Sequence, residues 1–142
     1  MVCDRASNAM IYMILAALWT QYSFAFYFCL LLDFGSHWLQ FQSSALSKTH
    51  HKGKNQKENW LVSLYYNNPM VFQIVVPGAE LGTAGLYVLA QSDTLAANAA
   101  FVAVTALLTA ILVFKMFVNV HQWFGAINRL EAYDLERRSQ EF

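Results

Sequence analysis

Residues 9–32 are apolar almost without interruption, and a run of that length restricts the chain to very few folds. About 20 apolar residues suffice to cross the hydrocarbon of a bilayer as helix. The rest of the composition agrees. Hydrophobic residues make up 57% of the 142 and charged ones 13%, against roughly 25% charged in a soluble domain. Aromatics reach 15%, a level that suits spans and interfacial belts. The formal net charge is zero, and no basic motif is interleaved with aromatics, so nucleic acid is excluded as a partner. Cys3 and Cys29 lack metal-ligand spacing and read as small buried hydrophobes. No small-residue cleavage site follows the first apolar stretch before Asp33, so that stretch is expected to stay in the mature chain.

The run is better divided than continuous. Trp19, Thr20, Gln21 and Tyr22 form a polar, aromatic notch of interfacial type. It separates a short first helix over 5–18, which Asp4 would cap at the positive end of its dipole, from a second over about 21–46. Residues 47–60 carry Lys48, Lys52, Lys54 and Lys57 with His50 and His51 and no aliphatic side chain until Trp60, which makes them a solvated loop. A third span is predicted over 69–90 and a fourth over 96–124, joined by the polar turn 91–94. The expected fold is therefore all-α, a polytopic transmembrane helical bundle of about four spans over residues 1–128, followed by a charged, frayed tail over 129–142. Arg5, the four loop lysines, Arg129, Arg137 and Arg138 all fall on one side in this topology, which the positive-inside rule makes cytosolic.

Ionisable side chains in hydrocarbon cost roughly 2.5–3.5 kcal/mol each on insertion scales, so those inside the spans face protein or water and are functional candidates. On the second helix Asp33, Ser36, His37, Gln40, Ser43 and Ser44 recur at steps of three and four and share one face. On the fourth, Lys115, Asn119 and Gln122 repeat the pattern, with the lysine free to pair with a carboxylate or an anionic ligand. Glu80, after the Pro77-Gly78 break, is expected to be a buried carboxylate satisfying freed backbone groups. Both stripes have a plainer reading as interhelical glue. For Asp33 with His37, an acid beside an imidazole exceeds what packing requires, and the two are expected to hydrogen-bond each other. His50, His51 and His121 are assigned no role.

The segment Leu32-Asp33-Phe34-Gly35-Ser36-His37-Trp38-Leu39, followed by the Ser43-Ser44 pair, His51-Lys52 and Tyr65-Tyr66, resembles the eukaryotic phosphatidylinositol synthases. Lys115, Asn119 and Val120 also look like the final helix of the plant-type members. These enzymes are CDP-alcohol phosphatidyltransferases, whose hallmark is D-G-x2-A-R-x8-G-x3-D-x3-D. Laid on this chain, the hallmark ends at Asp4, its fourth aspartate, and its earlier part falls upstream of Met1. The resemblance implies transfer of a phosphatidyl group from CDP-diacylglycerol to myo-inositol with release of CMP, in membrane lipid, with Mg²⁺ or Mn²⁺ on the aspartates. It makes Asp4 the catalytic and metal-binding candidate, and Asp33, Ser36, His37, Lys115 and Asn119 the substrate-binding ones. It also implies an endoplasmic reticulum or Golgi membrane, with loop 47–60 and the C-terminus cytosolic. One departure is local: Asn67-Asn68-Pro69 stands where the family usually shows a basic residue after the Tyr-Tyr pair. The rival reading is non-enzymatic, a truncated relative that pairs as a homodimer or binds the full enzyme through unfilled helix faces.

Overall fold

The computed structural model describes residues 2–47 and 68–140, with the backbone alone at 2–4 and 47. Every described element is helical: α1 (Val2–Leu18), a 3-10 turn (Thr20–Tyr22), α2 (Ser23–Ser47), α3 (Pro69–Gln91), α4 (Asp93–Ala96) and α5 (Ala99–Gln140). The lysine loop, His50, His51 and Tyr65-Tyr66 lie outside the described residues.

Local chemistry accounts for most of the boundaries. At the Trp19 notch the chain bends by 119° between the first two helices. The Trp19 indole N–H donates to the Leu86 carbonyl oxygen at 3.3 Å and ties that corner to α3. Asn68 caps α3 by accepting from the Met70 N–H at 3.1 Å, and Pro69 follows where its missing N–H is harmless. The Asn-Pro departure thus starts a helix. Ser92 caps α4 through the Leu95 N–H, and the Asn98 side chain accepts from Ala100 and Phe101 N–H to open α5. Asp4 falls inside the first turn of α1 rather than at its cap.

Two helices, α3 and α5, are long and apolar enough to cross a membrane, and the bent α1–α2 pair raises the number to three if it counts as one span. The tail does not fray: α5 continues through Gln140. Residues 129–140 contain no glycine or proline and are rich in Leu, Glu and Arg, good helix formers that give the chain no reason to stop.

α5 is the hub, packed against both α2 and α3, while α1 lies on α2 and touches α3. Tyr12, Leu32, Ala79, Leu112 and Met116 form the main buried cluster, with Cys29 among the half-buried residues against it. The α3–α5 contact is close because glycines face it. A Cβ at Gly82 would stand 2.9 Å from the Leu108 carbonyl oxygen, and one at Gly78 would stand 3.1 Å from the Ile111 side chain. Gly35 of α2 similarly accommodates the ring of Trp123. Glu80 is exposed, contrary to expectation. The buried face of α3 is Val75, Gly78, Ala79, Gly82 and Thr83, and one residue beyond Ala79 is a turn of about 100° away from it.

Candidate functional site

The two polar stripes meet. Asp33 on α2 and Lys115 and Asn119 on α5 are each no more than 3% exposed. The Lys115 ammonium lies 3.1 Å from Asp33 Oδ1, and the Asn119 amide donates to the same oxygen at 3.2 Å. The other oxygen, Oδ2, accepts from Arg5 Nη1 of α1 at 3.0 Å. Asn119 also contacts the Met116 sulfur at 3.9 Å. One carboxylate thus ties three helices together.

Burial of that kind demands complete pairing, because a lone charge in the interior is penalised by several kcal/mol of lost hydration. The carboxylate is well satisfied. Two cations from different helices reach it: Arg5 of α1 and Lys115 of α5 both contact the Asp33 carboxylate. Arg5 sits at the more open edge, with 14% of its side chain exposed against 4% for Lys115.

The second stripe residue behaves differently from the expectation. His37 Nδ1 lies 2.8 Å from the backbone carbonyl oxygen of Asp33, not against its carboxylate. A carbonyl only accepts, so Nδ1 carries the proton and Nε2 is left as the ring's acceptor when the imidazole is neutral. Ser36, fully buried, donates to the same carbonyl at 3.3 Å and lies as close to His37 Nδ1. Its hydroxyl and the imidazole share one helix turn, which fixes the ring. Nε2 is the atom through which His37 can meet a ligand.

Further along α2 the stripe continues into a second layer. Gln40 and Ser43 receive the guanidinium of Arg129 from α5, Ser43 at 3.3 Å from Nε and Gln40 by a short contact from Nη2. Gln122 is buried between the layers, while Ser44 points outward. His121 faces the Phe117 carbonyl of its own helix at 2.8 Å and takes no part.

Metal ligation is a separate matter. Among the described residues no group of three or more His, Cys, Asp or Glu side chains could hold an ion. Both oxygens of Asp33 are already taken by cations, and the Asp4 side chain lies outside the described atoms. The described residues therefore do not form a divalent-metal site.

A comparison with curated proteins places this arrangement. A protein of Arabidopsis thaliana named "Probable CDP-diacylglycerol--inositol 3-phosphatidyltransferase 2" is 32% identical to the chain, over 99% of this chain and 67% of its own length. The chain belongs to the CDP-diacylglycerol–inositol 3-phosphatidyltransferase family. A family member from Schizosaccharomyces pombe is 26% identical over 97% of this chain and 66% of its own length. One from Saccharomyces cerevisiae is 35% identical over 61% of this chain and 40% of its own. The chain spans about two thirds of the length of the first two relatives. No family model matches it. No solved structure matches it either.

Of the candidates named from the sequence, Asp33, Ser36, His37, Lys115 and Asn119 come together at one seam. Sequence reasoning missed Arg5 and Arg129 as members, having read both only as cations that orient the chain.

Proposed function

We propose that this chain supplies one wall of a phosphatidylinositol synthase site, in which CDP-diacylglycerol and myo-inositol give phosphatidylinositol and CMP. The observation that carries the reading is the meeting of Asp33 with Lys115 and Asn119, because these residues belong to the two segments that resemble the family. Cations in a low-dielectric site attract an anionic group, and the substrate of the relatives' named reaction carries a pyrophosphate. Lys115 and Arg5 provide the attraction, and Asp33 holds both cations in place. Asn119 fixes the carboxylate. His37 Nε2, oriented by the Nδ1 hydrogen bond, accepts from a substrate hydroxyl.

In this reading Asp4 is the last aspartate of the family hallmark, the residue that activates the attacking inositol hydroxyl and helps hold Mg²⁺ or Mn²⁺. The remaining ligands are carboxylates outside this sequence, and the described residues do not substitute for them. The four-span topology, with loop 47–60 and the C-terminus cytosolic in an endoplasmic reticulum membrane, belongs to the same proposal.

The test compares two preparations with CDP-diacylglycerol, labelled inositol and Mg²⁺ or Mn²⁺. The chain alone is expected to form no phosphatidylinositol. The same chain preceded by a family D-G-x2-A-R-x8-G-x3-D segment is expected to form it. Inactivity of the folded, completed chain would refute the enzymatic reading and favour a non-enzymatic membrane relative.

A further inference from the structure

The second layer of the seam has an unusual hydrogen-bond balance. Arg129 is half-buried on α5, and its partners Gln40 and Ser43 sit on the last turns of α2. Both partners are neutral, and among the described residues the guanidinium forms no ion pair with a carboxylate. Ser43, 2% exposed, donates its own proton to the Gln40 carbonyl at 3.1 Å and accepts from Arg129, so its hydroxyl is fully engaged. Gln40 turns Oε1 toward the guanidinium. Its amide NH₂ therefore faces the other way.

What remains unfilled is all donor. Nη1 and the second hydrogen of Nη2 on Arg129, with the Gln40 amide, have no acceptor among the described residues. Nη1 lies beside Gly125, where an added Cβ would stand 3.9 Å from it, so that position places no side chain against the fork. Nε and Nη2 are both bound to α2, which locks the guanidinium plane before any ligand arrives. A preorganised fork, a neighbouring amide and an uncompensated charge make a receptor for a planar or tetrahedral oxyanion.

Depth narrows the choice. At about 1.5 Å per residue this layer lies roughly 15 Å along the helices from the Asp33 cluster. It lies just beyond Trp38 on α2, an indole exposed on the outside of the bundle. Exposed tryptophan is enriched at the membrane interface, where the abundant oxyanion is phosphate. We propose that Arg129, Gln40 and Ser43 form a phosphate-binding site at the membrane interface, separate from the Asp33 cluster and serving the phosphodiester or phosphomonoester of an anionic lipid headgroup.

The 142-residue chain in detergent tests this without any turnover assay. It is titrated with monomeric dihexanoyl phosphatidic acid, with inorganic phosphate and with uncharged dihexanoylglycerol, reading melting temperature and phosphorus-31 line width. The expected result is a rise in melting temperature and line broadening with phosphatidic acid and no response to dihexanoylglycerol. Two variants carry the assignment. Arg129→Gln removes the charge, and Gln40→Glu supplies the missing carboxylate, so each is expected to lower the affinity at least tenfold. Gln40→Glu keeps the Arg129 contact and should melt no lower than the parent, which separates lost binding from misfolding. A response to inorganic phosphate of equal affinity identifies free phosphate as the ligand source, and a response to phosphatidic acid alone identifies the lipid headgroup. The proposal fails if neither phosphate probe binds, if dihexanoylglycerol acts as well as phosphatidic acid, or if Gln40→Glu binds like the parent.

Discussion

Replacing Asp33 with Asn tests the charge arrangement at its centre. The substitution keeps the shape of the side chain but leaves Lys115 and Arg5 facing a neutral amide. Removing one partner of a buried ion pair generally costs about 3–5 kcal/mol, mostly because the other is stranded. Here Lys115, 4% exposed, is the stranded group, while Arg5 at 14% has water within reach. Lys115→Met acts in the opposite sense. It leaves Asp33 with Arg5 at 3.0 Å and Asn119 at 3.2 Å, so it should cost no more than about 1 kcal/mol, the scale of one net hydrogen bond. In the Asp33→Asn background Lys115→Met is then expected to restore roughly 2 kcal/mol, because it removes the stranded charge itself. Reversible unfolding in mixed micelles measures all four proteins. If Lys115→Met destabilises the Asp33→Asn protein as much as it does the parent, Lys115 is not the charge that Asp33 neutralises.

Other expectations follow from packing and topology. Gly82→Ala places a methyl against the Leu108 backbone and should cost about 1–3 kcal/mol as the helices separate. Gly78→Ala meets only the Ile111 side chain and should cost less, a ranking that thermal melts of the two variants check. Trp19→Phe loses the hydrogen bond to Leu86 and should cost about 1 kcal/mol, seen as a lower melting temperature without loss of helix content. In sealed microsomes a probe cysteine at Gly53 should label from the cytosol and one at Asp93 should stay protected; labelling at both contradicts the proposed orientation.

The helices were readable because apolar length, the polar notch at Trp19 and the polar turn at 91–94 act locally; the caps Asn68 and Ser92 were seen only in the structure. Asp33, Lys115 and Asn119 stood out because an ionisable or amide group in an apolar span is expensive enough to need a reason. That they touch was not readable, since it depends on the register of two helices whose contacting residues are 86 positions apart. Arg129 was missed although the signal existed: the positions 115, 119, 122, 126 and 129 continue one helical face past the expected end of the span. Arg5 carried a weaker hint, a cation one turn or so before an apolar run. Glu80 was misjudged because its depth was readable and its azimuth was not; the glycine face of α3 decided which way it points. The His37 contact was misassigned for a related reason, as the backbone carbonyl four residues back outcompeted a carboxylate already held by two cations.

The most direct measurement of the proposed role uses His37→Ala in the completed chain, because this side chain orients Nε2 without touching the Asp33 carboxylate. Phosphatidylinositol formed per folded molecule and melting temperature are read on the same preparation. The account predicts at least a tenfold loss of turnover with the melting temperature nearly unchanged. Parental turnover in folded His37→Ala protein would contradict it and leave the seam as packing between helices.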